Sequence, residues 1–79
     1  MFWREALKSR EYVKRYRSFL ERLKQAREEA GLTQAEAAGR FSRPQSFISK
    51  CESGERRVDF VELQYFASIY RKPLSYFDA

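Results

Sequence analysis

The sequence predicts an all-α fold, and three observations carry that expectation. Apolar residues recur at steps of three and four in the longer segments, no segment alternates apolar and polar residues as a half-buried strand would, and helix start and stop signals divide the chain cleanly. The 79 residues form one small domain, able to bury only about 60% of the surface its unfolded chain exposes. With 7 Phe, 5 Tyr and 1 Trp, large rings must fill that core in place of many aliphatic side chains.

The elements follow in order. Tyr12, Tyr16, Phe19, Leu23, Ala26 and Ala30 mark a first helix, which Gly31 ends. Thr33-Gln34-Ala35-Glu36 reads as a capping box, with the Thr33 hydroxyl accepting from the backbone N–H of the third helical residue and Glu36 reaching back. That second helix is short, because Ser42-Arg43-Pro44 interrupts it after Phe41. A third helix runs from about Pro44, whose missing N–H costs nothing in a first turn, to Ser53, and Gly54 supplies the left-handed residue at its end. Asp59 with Glu62 opens a fourth helix with apolar positions Phe60, Leu63, Phe66, Ala67 and Tyr70. Pro73-Leu74-Ser75-Tyr76-Phe77 opens a fifth helical turn.

Residues 1–18 form a basic and aromatic extension ahead of a domain at 19–79. Arg4, Lys8, Arg10, Lys14, Arg15 and Arg17 face only Glu5 and Glu11, and the rest of the chain is nearly neutral although the whole carries +5. The charge suits an arm along a polyanion; Phe2, Trp3, Leu7, Val13 and Tyr16 suit a helix that prolongs the first one or packs on a second subunit. A helical extension serves both roles and is the expectation adopted.

Several function classes drop out. With no His and a single cysteine, Cys51, the chain lacks the usual zinc ligands, an internal disulfide and His-based acid–base chemistry, and three Gly leave no phosphate-cradling loop. The expectation is a protein that is not an enzyme, with no cofactor, no metal and no small-molecule ligand. No apolar run approaches the roughly 20 residues of a membrane span, and nothing at the start resembles a secretory signal. The expected location is the cytoplasm, on the nucleoid, with no membrane partner.

Two short helices joined by a tight turn, the second opening on small polar side chains, make a helix-turn-helix arrangement at about residues 33–53. From Gln34 to Gly54 the chain reads QAEAAGRFSRPQSFISKCESG. It closely resembles the phage-repressor and Cro-like family of transcriptional regulators, also called the xenobiotic-response-element family, and the similarity extends over roughly residues 19–77. The resemblance implies a lambda-repressor-like five-helix domain that binds double-stranded DNA as a homodimer on an inverted-repeat operator, most simply as a repressor.

It also implies site residues. Gln45, Ser46 and Lys50 match base-contacting positions, with Ser49 on an adjoining face. Phe47 is read two ways, against a thymine methyl or as cover for the domain's own core. Gln34 matches a phosphate contact beside the first recognition residue, or is a plain polar helix start; Arg40, Arg43, Arg56 and Arg57 match a phosphate-facing surface. Arg27 and Glu52 match a structural ion pair. Ile48 and Cys51 point inward, and with no second cysteine Cys51 reads as an inert buried thiol in preference to a redox switch. Ser42 and Arg71 stand where relatives carry glycine, Arg43 and Lys72 where they carry aliphatic residues, and Gly39 lies inside the second helix. A dimer interface is expected from Leu74, Tyr76 and Phe77 with the extension. The rival function is a protein-interaction module that keeps the fold and binds a partner protein through exposed aromatic residues.

Overall fold

The computed structural model describes residues 9–78, so Phe2, Trp3, Arg4, Glu5, Leu7 and Lys8 of the expected extension lie outside the described residues. The regular structure is helical: α1 (Arg10–Glu29), α2 (Gln34–Arg40), α3 (Gln45–Ser53), α4 (Phe60–Tyr70) and one 3-10 turn (Leu74–Phe77), which is what the expected fifth element amounts to. No helix among the described residues is long and apolar enough to cross a membrane.

Local chemistry sets each boundary. Ser9 caps α1, its hydroxyl accepting from Tyr12 N at 3.0 Å, so residues 10–18 are the first half of one unbroken helix. Capping boxes open α2 and α4: Thr33 Oγ1 accepts from Glu36 N at 3.1 Å while Glu36 Oε1 accepts from Thr33 N at 2.9 Å, and Asp59 with Glu62 repeats the exchange. α1, α2 and α4 close alike, with a left-handed residue and a paired return of N–H groups to the last turn. At α1 this residue is Gly31 (φ 74), with Leu32 N donating to Arg27 O. At α2 and α4 it is Ser42 (φ 56) and Arg71 (φ 58), where Arg43 N and Lys72 N donate to Ala38 O and Ala67 O. A side chain in that conformation costs on the order of 1 kcal/mol, which the satisfied carbonyls offset.

The core is built around rings. Phe66 is fully buried, with Phe41 at 4.5 Å and Tyr70 at 5.6 Å between centroids and Phe47 stacked at 6.2 Å. Ala37 and Ala38 let α2 approach α3 closely, and Leu23, Ala26, Ile48 and Cys51 fill the space between α1 and α3. Phe77 is buried in this same core with its ring edge-on to Phe19, and Tyr76 is half-buried, so of these three expected interface residues only Leu74 is left exposed, together with Val13 of the extension. Phe60 departs from its expected core position. It falls in the first turn of α4, where the helix runs past the core, and with Val61 and Tyr65 it remains exposed.

Candidate nucleic-acid interface

α3 buries Phe47, Ile48 and Cys51, which turns Gln45, Ser46, Ser49, Lys50 and Ser53 to solvent. At 3.6 residues per turn these five share one face spanning roughly 140°. It is polar, made mostly of short side chains, and free of carboxylates, because the acid of α3, Glu52, is turned inward.

Glu52 accepts from Arg27 Nε at 2.6 Å and from Arg27 Nη2 at 3.2 Å, the two side chains being only 9% and 6% exposed. Arg27 also donates to Leu32 O at 2.9 Å, tying the end of α1 to the entry of α2. The hydrogen bonds that Arg27 donates to Glu52 raise the Arg27 pKa, outweighing burial, so the guanidinium stays charged.

The pair carries a chain of bonds outward. Gln34 Nε2 donates to Glu52 Oε1 at 3.1 Å, and Gln34 Oε1 accepts from Gln45 Nε2 at 3.4 Å. A carboxylate only accepts, so Gln34 must turn its amide nitrogen to Glu52 and its oxygen to Gln45. Gln45 must then offer nitrogen to Gln34, which leaves its own oxygen and a second N–H facing solvent. The orientation of the first exposed amide on α3 is thus set from the buried Arg27.

The loop after α3 holds two arginines differently. Arg56 makes a two-pronged pair with Glu62, at 2.9 and 2.7 Å, which keeps the Glu62 carboxyl below the usual range. Its guanidinium also lies 5.0 Å from the Phe47 centroid, with Arg43 at 4.9 Å from the same ring. Phe47, 7% exposed and stacked on Phe66, therefore serves the core. Arg57 lies over Tyr16 at 4.7 Å and Tyr12 at 5.1 Å and donates to the Tyr12 hydroxyl, while Val58 N donates to Tyr16 Oη at 3.1 Å.

Arg40, Arg43, Arg57 and Lys50 are exposed. Burial pushes the Cys51 thiol up, so it remains protonated and a poor nucleophile. The sequence reading missed the Arg56–Glu62 pair and the two-tyrosine seat of Arg57. The first had a signal in Glu62, whose capping position brings it back beside the preceding loop; the second joins residues 45 apart and had none.

A family model described as a helix-turn-helix domain matches residues 18–74. No curated protein and no solved structure matches the chain.

Proposed function

The chain belongs to the helix-turn-helix domain family, whose domain suggests a DNA-binding transcription regulator, and we propose that it is a Cro-like repressor occupying an inverted-repeat operator as a homodimer. One observation carries this reading: the bond chain from Arg27 through Glu52 and Gln34 to Gln45, which orients an exposed amide at the leading end of an acid-free polar helix face.

In this reading α3 enters the major groove by its N-terminus. The free Gln45 oxygen and second N–H match adenine N6 and N7, Ser46 and Ser49 offer short hydroxyls to neighbouring base edges, and Lys50 donates to guanine O6 and N7. The second N–H of Gln34 meets a phosphate, as do Arg40, Arg43 and Arg57. Arg56, already engaged by Glu62, supports the loop in place of a direct phosphate contact. A symmetric pair would set two α3 helices about 34 Å apart, and exposed Phe60, Val61 and Tyr65 on α4 supply apolar surface for the second copy.

The same α4 side chains favour the second reading, a partner-protein module with the fold retained. Selection of random duplex DNA by the purified protein at near-physiological salt separates the two. Enrichment of an inverted repeat supports the regulator; weak, salt-sensitive binding without enrichment rejects it in favour of the module.

A further inference from the structure

Arg56 and Arg57 are adjacent, and the fold treats their charges in opposite ways. Arg56 is neutralised by the carboxylate of Glu62. Among the described residues, Arg57 is held by neutral groups alone: the faces of Tyr12 and Tyr16, whose rings are nearly parallel at 13° with centroids 6.0 Å apart, and the Tyr12 hydroxyl. The backbone beside it is fixed too, since Val58 N donates to the Tyr16 hydroxyl. A guanidinium has five N–H donors, and the Tyr12 bond takes one, so an exposed side chain keeps its full charge and most of its donors while losing its freedom to move. A carboxylate in the same place would fix Arg57 equally well and cancel the charge.

We infer that Tyr12 and Tyr16, on the first half of α1, are positioning residues for DNA binding: they hold the loop after α3 so that Arg57 is already posed against a DNA phosphate. The inference rests on the DNA-binding reading above and gives residues 10–18 a task in it, as a scaffold for the loop. Its physical basis is entropic. Immobilising a long side chain on binding costs about 0.5–1.5 kcal/mol, and a side chain already seated avoids that cost, which corresponds to roughly a two- to tenfold change in affinity.

The test is fluorescence anisotropy of the full chain on its selected duplex and on random duplex across a salt series, with melting curves for every variant. Tyr12→Leu/Tyr16→Leu is expected to weaken binding on both duplexes roughly two- to tenfold with the salt slope unchanged, because Arg57 still reaches its phosphate. Arg57→Ala is expected to flatten the slope by about 0.9, and in that background the tyrosine changes should cost nothing more. Tyr12→Phe, which keeps the ring, should retain most of the affinity. Where the double leucine variant fails to fold, the single change Tyr12→Leu, which removes one of the two rings and the hydroxyl that Arg57 donates to, carries the same comparison.

Undiminished or tighter binding without the rings overturns the inference, as does an equal loss in the Arg57→Ala background. A wild-type chain that binds no duplex overturns the DNA-binding reading itself, and this inference with it.

Discussion

Replacing Glu52 by Ala tests whether the buried ion pair holds the domain together. The change removes both bonds from Arg27, at 2.6 and 3.2 Å, and leaves a side chain that is 9% exposed in the native fold with the Leu32 carbonyl at 2.9 Å. Breaking a buried pair costs about 3–5 kcal/mol, and the surviving carbonyl bond argues for the lower end. A domain of this size has roughly 4–12 kcal/mol to lose. At about 4–8 °C per kcal/mol, a loss of about 3 kcal/mol lowers the midpoint by about 12–24 °C in a far-UV circular dichroism melt. The double replacement Arg27→Met/Glu52→Leu should recover most of that drop, because it removes the stranded charge as well as the pair. A drop under about 4 °C for Glu52→Ala, or a double variant as unstable as the single one, would refute the reasoning.

Other outcomes follow from the same geometry. Gln45→Ala should cost about 1–3 kcal/mol on the selected duplex and relax base preference at one position per half-site; equal losses on random duplex would contradict base readout. Gly39 lies within α2 with open space where a Cβ would stand, so Gly39→Ala should raise stability by about 1 kcal/mol in a denaturant titration. Gly54→Ala should do the reverse by about 1–3 kcal/mol, since φ is +84 and the new Cβ would meet Leu20 Cδ1 at 2.9 Å; a neutral result would show the loop free to move. Acid should destabilise the fold. The Glu62, Glu36 and Glu29 carboxyls are lowered by the Arg56 guanidinium, the Thr33 capping bonds and the Lys72 ammonium. Depressed folded-state values stabilise above the unfolded carboxylate pKa of about 4.3, and that contribution fades as pH falls through and below it. Melting midpoints that rise between pH 6 and pH 3 would contradict the assignment.

Much of the fold was legible because its signals are local. A capping box spans four residues, a left-handed closure three, and helical periodicity little more than a turn, so Thr33, Asp59, Gly31 and Gly54 mark boundaries without reference to the rest of the chain. The polar face of α3 was legible for the same reason. What resisted depends on contacts between distant segments. Phe60 has the right spacing for the core and is exposed, because periodicity tells which side of a helix faces inward and not how far along it the core extends. Phe77 has the composition of an interface residue and is buried against Phe19. The seat of Arg57 unites the first turns of α1 with a loop more than forty residues later, and no short pattern encodes such a meeting.

Charge placement shows why composition alone carries little about the site. A formal +5 over 79 residues says only that polyanions are favoured. The fold sorts the cations. Among the described residues, Arg27, Arg56 and Lys72 are paired with Glu52, Glu62 and Glu29, and each pair joins two segments of the chain. None of these pairs engages Lys50, Arg40, Arg43 or Arg57, which lie exposed on or around the two helices of the motif. Three acid side chains near that surface are drawn into other work, Glu52 into the buried pair and Glu36 and Glu62 into capping boxes, while Glu55 in the loop after α3 stays exposed. The positive face therefore arises as much from where the carboxylates are held as from where the cations sit, and the Glu52 carboxylate acts in both respects. Turned inward, it clears α3 of negative charge, and through Gln34 it sets the direction in which Gln45 presents its amide.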